Sequence, residues 1–142
     1  MPFVSVTRLR IRSWVYFPAF FYDAYRSARQ AKAAEGNLAA RVLRDAHRTW
    51  WTCTAWDSEV SMRKFMLANP HGPAMLKLRK WCDEASVAHW TQPDAILPSW
   101  KEAHRRMQRE GRMSKVDRPS PNQAAKVITA PIVKAGSEVI FK

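Results

Sequence analysis

A strand that leads directly into a capped helix is the feature that most constrains the fold of this chain. Between residues 50 and 56 the sequence holds three tryptophans, two threonines and one cysteine, a composition that strongly favours a pleated strand. Successive side chains of a strand point to opposite sides. One side would therefore carry Trp50, Thr52, Thr54 and Trp56, and the other Trp51, Cys53 and Ala55.

The helix that follows has a recognisable start. Ser58 stands where a helix N-cap is expected, because its hydroxyl can accept a hydrogen bond from a backbone N–H of the first turn. Glu59 follows in the first turn, where negative charge is favourable. Apolar residues then recur at helical spacing, at Met62, Phe65 and Met66. An aromatic strand beside a helix can line a pocket as well as fill a core.

The remaining elements complete one topology. Strands are predicted over residues 3–12, 38–45, 50–56 and 85–90, and helices from Phe17 to Gly36, from Ser58, and from the capping box at Ser99 to Gly111. The order strand, helix, strand, strand, helix, strand predicts an α+β fold, a ferredoxin-like split βαβ unit with an antiparallel sheet. The last helix has few apolar residues and is expected at the domain edge. We expect one domain over residues 1–111 and a basic, proline-containing extension over residues 112–142.

Charge is concentrated at the two ends of the chain. The net charge is +12, from 24 basic and 12 acidic residues. The sequence shows no long run of like charges and no nucleic-acid-binding motif, so a nucleic-acid partner is not favoured. Two alternatives stay open, a solvated basic surface and a basic module that binds nucleic acid or an anionic membrane. The apolar run at residues 14–22 is too short to cross a bilayer, and we expect a cytoplasmic protein with reduced, buried cysteines.

An uncovered sheet face predicts self-association. In a ferredoxin-like unit the helices cover one face of the sheet, and this chain offers only a weak C-terminal segment to cover the other. We expect the side of Trp50, Thr52, Thr54 and Trp56 to be exposed in a monomer. A homodimer that pairs the two sheets would bury it.

Further segments carry a family resemblance. The predicted topology, together with residues 56–65 and the Asn-Pro-His of 69–71, resembles the antibiotic biosynthesis monooxygenase-like superfamily of dimeric α/β barrels, and residues 65–75, 81–90 and 97–100 carry a closer likeness. Within that superfamily they are most similar to the bacterial branch of spheroidene monooxygenase-like proteins. The resemblance implies a cavity between the sheet and the helices. It also implies oxygenation, either by haem held through a histidine near His71 or without a cofactor, when the substrate supplies a carbanion that reduces oxygen.

The candidate site residues each have a structural alternative. His71 could ligate haem or move a proton, or it could cap a broken helix. Trp50, Thr52, Thr54 and Trp56 could form a substrate-binding wall or a dimer core. Arg8, with Arg10 and Arg12 on the same strand face, could hold a carboxylate or could guard a solvated edge strand. His89 is more typical of a buried or interface histidine than of a ligand.

These features predict a monooxygenase-like protein that oxidises a hydrophobic small molecule, with haem dependence open. The alternative is a non-catalytic small-molecule-binding protein of the same fold.

Overall fold

The computed structural model describes residues 1–68 and 71–142, apart from the side chains of residues 71, 72 and 74. In this part of the chain the strands are β1 (Phe3–Ile11), β2 (Asn37–Arg44), β3 (Thr49–Trp56), β4 (Cys82–Thr91), β5 (Arg112–Met113) and β6 (Glu138–Ile140). The helices are α1 (Phe17–Ala33), α2 (Glu59–Leu67), α3 (His71–Trp81), α4 (Trp100–Glu110) and α5 (Pro121–Ala124), with a short 3₁₀ turn at Trp14–Tyr16.

The strands form one antiparallel sheet in the order β5-β4-β1-β3-β2-β6. Helix α1 connects β1 to β2, and α2 with α3 connects β3 to β4. The predicted α+β, ferredoxin-like fold is therefore confirmed.

Local sequence rules set the ends of the helices. The Ser58 hydroxyl accepts a hydrogen bond from the backbone N–H of Ser61 at 3.2 Å, and Ser99 caps α4 in the same way. Pro18 lies in the first turn of α1, where its missing N–H costs nothing. Gly36 follows α1 with a φ of 88°, a conformation that glycine adopts without strain. The predicted starts of α2 and α4 and the predicted end of α4 at Gly111 are confirmed, whereas α1 ends at Ala33, three residues before Gly36.

Helices α1, α2 and α3 cover one side of the sheet, which we call the helix side. Ile11 and Cys82 pack there against Phe17, Phe20 and Trp81. Nearer the other end of the sheet, Phe3 and Trp56 pack against Met62 of α2. The two clusters lie towards opposite ends of β1, and the middle of the helix side is less well covered.

Helix α4 and the C-terminal segment cover the opposite side. Trp100, Ala103 and Met107 of α4 are buried, together with Ile128. They pack on a large apolar surface of the sheet, made by Val4, Val6, Leu43, Trp51, Cys53, Ala55, Ala88 and Trp90. The expectation that α4 lies at the domain edge is wrong, because a narrow stripe at i, i+3 and i+7 is enough to seat a helix on an apolar sheet.

The expectation that the side of Trp50, Thr52, Thr54 and Trp56 is uncovered in a monomer is wrong. Trp50 and Trp56 point to the helices, where the side chain of Trp56 is fully buried. The opposite side, which carries Trp51, is covered within the same chain by α4 and Ile128. A homodimer stays a prediction, but it would need a surface other than these two faces.

The C-terminal segment is attached to the sheet by specific contacts. The side-chain amide of Gln123 exchanges two hydrogen bonds with the backbone of Ala85 in β4, both at 3.0 Å. Strand β6 pairs with β2, and β5 pairs with β4, so the segment extends the sheet at both edges.

Candidate functional site

Residues on the helix side are aligned in rows across β4, β1, β3 and β2. The strand register defines four of them: Thr91–Phe3–Trp56–Asn37, His89–Ser5–Thr54–Ala40, Val87–Thr7–Thr52–Val42 and Ala85–Leu9–Trp50–Arg44.

The third of these rows is incompletely covered. Val87, Thr7, Thr52 and Val42 are all half-buried, and we call them the half-buried row. Strands β1 and β3 have hydrogen-bonded neighbours on both edges, so Thr7 and Thr52 can be reached only from the helix side. The described helices therefore do not fully bury the middle of the sheet.

An aromatic pocket of about 590 Å³ lies next to the half-buried row, where the β2–β3 hairpin meets the start of α1. Its apolar walls are Trp14, Phe17, Phe21 and Trp50. Trp14 stacks on Phe17 with ring centroids 4.4 Å apart, and the edge of Phe21 meets Trp50 at 5.3 Å. Trp50 belongs to the row next to Thr52 and thus links the pocket to the half-buried row. Flat apolar walls of this kind suit a planar, conjugated molecule.

The rim of the aromatic pocket is cationic. Arg44, His47 and Arg48 line it together with one carboxylate, Asp45. The Arg48 Nε donates to the backbone oxygen of Ile11 at 2.9 Å, whereas the Arg44 side chain has no hydrogen bond or ion pair among the described residues.

The carboxylate of Asp45 is already occupied. Its Oδ1 accepts from the backbone N–H groups of Ala46 and Ile132, and its Oδ2 accepts from the indole N–H of Trp51 at 3.0 Å. Trp51 and Ile132 lie on the opposite side of the sheet, and among the described residues Asp45 forms no ion pair with Arg44. An anionic group of a ligand would find a free guanidinium at the rim.

The hairpin turn at the rim carries unusual backbone geometry. His47 and Arg48 have φ angles of 59° and 61°, in the left-handed region that residues other than glycine rarely adopt. Strain of this kind costs about 1–3 kcal/mol per residue and is concentrated at functional sites. Here it holds two basic side chains at the mouth of the pocket.

His89 is the described histidine with the chemistry of a proton acceptor. It lies beside Ser5 on the helix side, with its ring 5.4 Å from that of Phe3. Its Nε2 is buried and has no hydrogen-bond partner among the described residues. Burial lowers its pKa, and the charges of Arg112 and Arg63 lower it further. The imidazole is therefore neutral near pH 7 and able to accept a proton.

The aromatic pocket and His89 are separated by a distance that a single ligand can span. Trp50 lies four residues along the sheet and two strands across from His89. With about 3.4 Å per residue and about 4.8 Å between strands, their Cα atoms are about 17 Å apart. A molecule about 15 Å long could touch Trp50 at one end, cross the half-buried row and reach His89.

The four residues of the predicted substrate-binding wall, Trp50, Thr52, Thr54 and Trp56, lie in different environments. Trp50 lines the aromatic pocket and Thr52 lies in the half-buried row. Thr54 and Trp56 are buried, and the Trp56 indole N–H donates to the Thr54 hydroxyl at 2.9 Å. Trp56 also packs against Phe65 of α2. Neither Thr54 nor Trp56 lines the aromatic pocket.

Arg8 lies on the opposite side of the sheet from Trp50 and is only 3% exposed. Its guanidinium already holds a carboxylate, since Nη1 donates to Glu84 at 2.7 Å, and Nη2 donates to Thr129 at 3.0 Å. Arg10 donates to the other oxygen of Glu84 at 3.0 Å. The alternative of a solvated edge strand is wrong, because β1 is central in the sheet.

Three kinds of polar candidate remain: His71, groups of metal-ligating side chains, and the two cysteines. His71 begins α3, and its side chain lies outside the described residues. Among the described residues no group of three or more His, Cys, Asp or Glu side chains could hold a metal ion. Cys53 and Cys82 are free and buried, as predicted, and burial raises the pKa of each thiol to about 12, so neither is a nucleophile.

Sequence reasoning missed most of the aromatic pocket. Trp14, Phe21, Arg44 and Arg48 carried no motif. One signal was available: Trp14 and Phe21 lie on either side of Pro18, and the two arginines flank the predicted hairpin turn. The start of α1 and the β2–β3 turn meet only in the folded sheet.

Comparisons with known proteins agree with this architecture. No family model matches the sequence, and no curated protein matches it. Solved structures do match. They include SnoaB, a cofactor-independent oxygenase from Streptomyces nogalater, with 16% identity, a TM-score of 0.53, and coverage of 67% of this chain and 96% of that one.

Two further structures match with similar scores. A protein of Nitrosomonas europaea described as a candidate antibiotic biosynthesis monooxygenase has 12% identity and a TM-score of 0.57, over 65% of this chain and 90% of its own. Rv0793 from Mycobacterium tuberculosis has 10% identity and a TM-score of 0.60, over 68% and 99%. This chain shares the fold of antibiotic biosynthesis monooxygenase-like proteins. Identities this low establish the fold alone. None of the described helices is both long and apolar enough to span a membrane.

Proposed function

We propose that the protein is a monooxygenase-like oxidoreductase that acts on an elongated hydrophobic small molecule. The observation that carries this proposal is the arrangement on the helix side, where an aromatic pocket, a half-buried row and a neutral histidine follow one another. The shared fold with SnoaB supports the oxygenase class. Membership of the spheroidene monooxygenase-like branch stays a prediction from the sequence.

In the proposed reaction, the substrate itself reduces oxygen. Neutral His89 accepts a proton from an acidic methylene of a conjugated substrate, and the carbanion gives its electrons to O₂. One oxygen atom becomes a carbonyl in place of the two methylene hydrogens, and the other leaves as water, so atoms and electrons balance. Trp50 stacks on the conjugated body, and Thr7 and Thr52 offer hydroxyl groups to its polar atoms. Arg44 pairs with an anionic group at the far end.

A haem-dependent form of the reaction is the second candidate. The flat walls of the aromatic pocket and its two arginines fit a planar macrocycle with two carboxylates, and His47 lies on the same rim. Bound haem would supply a redox-active iron. His71 stays a predicted ligand. A Soret band after addition of haemin, lost in His71→Ala or in His47→Ala, would favour this form.

The test of the proposed function is oxygen uptake with anthrone and longer polycyclic ketones that bear a reactive methylene. With ¹⁸O₂, one labelled atom should appear in the product. His89→Gln should lower kcat by at least about a hundredfold, because it removes the proton acceptor. The matched variant His104→Gln, on the opposite side of the sheet against Trp51 and Ile128, should leave kcat unchanged.

The pH dependence provides an independent check on His89. Because its pKa lies below the ordinary value of 6.5, the neutral base persists as the pH falls through that value. The acid limb of kcat/KM should therefore lie below pH 6.5 and disappear in His89→Gln. An acid limb at or above pH 6.5 would contradict this assignment. If all probes bind in the pocket but none is oxidised, the chain is the non-catalytic binding protein of the same fold.

Self-association is predicted separately. We expect a homodimer that leaves both faces of the sheet covered by their own chain, since α4 and Ile128 already occupy the opposite side. Sedimentation equilibrium measures this directly. If the protein stays monomeric at all micromolar concentrations, the predicted homodimer is wrong. In that case α4 and Ile128 of the same chain take the place of a second subunit on the sheet.

A further inference from the structure

Helix α1 and the turn before it expose an unusual number of large apolar side chains. Trp14, Val15, Phe21, Tyr22 and Tyr25 are between 44% and 75% exposed. They lie within twelve consecutive residues at one end of the sheet. Scattered exposed apolar residues are normal, but a contiguous group of this size usually marks an interaction surface. We call these five residues the α1 surface.

The exposed charges of helix α1 are all positive. The one acidic residue of α1, Asp23, is buried and forms an ion pair with Lys77 at 3.1 Å. Arg26, Arg29 and Lys32 are exposed. The guanidinium groups of Arg26 and Arg29 lie 5.4 and 5.9 Å from the ring centres of Tyr22 and Tyr25.

We propose that the α1 surface docks on anionic lipid membranes. Tryptophan and tyrosine favour the interface between headgroups and acyl chains, and each nearby basic residue strengthens attachment to an anionic leaflet. An apolar contact combined with basic charge provides the two signals that stable peripheral binding needs.

Charge argues against a second copy as the occupant. Two α1 surfaces facing each other across a two-fold axis would bring Arg26, Arg29 and Lys32 close to their own copies, with no exposed carboxylate on α1 to compensate. A nucleic acid would satisfy the cations, but it offers no apolar interior for Val15 and Phe21. An anionic bilayer satisfies both requirements.

Docking would also orient the aromatic pocket. Trp14 and Phe21 belong both to the α1 surface and to the wall of the pocket, so the pocket mouth would open towards the bilayer. If the proposed function holds, a hydrophobic substrate could enter from the membrane without crossing water. The docking itself does not depend on catalysis.

Sedimentation of the full-length protein with vesicles tests the docking. We expect binding to phosphatidylcholine vesicles with about 30% phosphatidylglycerol, and weaker binding as salt rises from about 50 to about 200 mM. The double variant Arg26→Gln/Arg29→Gln should bind about thirtyfold more weakly. The matched control Lys115→Gln/Arg118→Gln removes the same charge from the C-terminal segment and should bind like the wild type.

A second measurement locates the contact. Brominated lipid should quench the tryptophan fluorescence of the bound protein, and Trp14→Phe should remove most of that quenching. Equal binding to pure phosphatidylcholine, no binding at 50 mM salt, or equal losses in the two charge variants would overturn the proposal. So would preferential binding to duplex DNA, or a dimer that Tyr22→Ser converts to a monomer.

Discussion

Trp56→Ala is expected to lower the free energy of unfolding by about 3–5 kcal/mol, the usual cost of deleting a fully buried tryptophan. The indole of Trp56 has no exposed surface, packs on Phe65 and donates to Thr54. Urea denaturation followed by circular dichroism measures the loss. Ligand affinity of the fraction that stays folded should be unchanged, since Trp56 does not line the aromatic pocket.

Trp50→Ala is the matched variant, on the same side of the same strand. Trp50 is half-buried and lines the pocket, so its removal should cost less stability, about 1–2 kcal/mol. It should instead weaken binding of a polycyclic probe by about thirtyfold, the effect of losing an aromatic anchor of about 2 kcal/mol. Equal effects of the two variants on stability and on binding would refute this division of the aromatic strand.

Glu84→Ala is expected to destabilise the protein by about 3–5 kcal/mol, because it leaves the charge of Arg8 buried without a counter-ion. The side chains of Arg8 and Glu84 are 4% and 2% exposed, and their charged atoms are 2.7 Å apart. Ser120 also donates to Glu84 at 2.7 Å, so the variant should loosen the C-terminal segment as well. Thermal unfolding measures the loss, and proteolysis after residue 111 should become faster.

Two controls separate charge from packing in the Glu84 experiment. Glu84→Gln keeps the shape but removes the charge and should lose nearly as much stability. The double variant Arg8→Met/Glu84→Leu removes both charges and should recover most of the loss, because a buried ion pair is often replaceable by apolar residues. A double variant as unstable as Glu84→Ala would show that the pair is needed for more than charge balance.

Acid should weaken the same interaction. Burial tends to raise the pKa of Glu84, but hydrogen bonds from Ser120 and Arg8 and the charges of Arg8 and Arg10 outweigh it, and the pKa is lowered below 4.5. A carboxyl with a lowered pKa in the folded state stabilises the protein above its unfolded pKa, and this contribution is lost as the pH falls through the folded value. The free energy of unfolding should therefore fall below about pH 4.5 in the wild type and less steeply in Glu84→Gln.

Local features of the sequence determined the elements of this fold. Ser58 and Ser99 cap helices, Gly36 follows α1, and the aromatic run forms β3, because each depends on residues within one or two turns of each other. The order of these elements was then enough to predict the ferredoxin-like topology. The alternation of side chains along β3 correctly placed Trp50 and Trp51 on opposite sides of the sheet.

The tertiary structure decided which side of β3 faces the helices. Alternation divides a strand into two faces but carries no information about which one meets the helices, so the exposed aromatic side was predicted wrongly. The sequence was compatible with Arg8 on a solvated edge strand, because its partner Glu84 lies 76 residues away along the chain and no local pattern connects the two. The aromatic pocket likewise joins the start of α1 to a distant hairpin turn. Contacts between residues so far apart form only when the sheet assembles, which is why residue patterns defined the strands and helices while packing defined the candidate site.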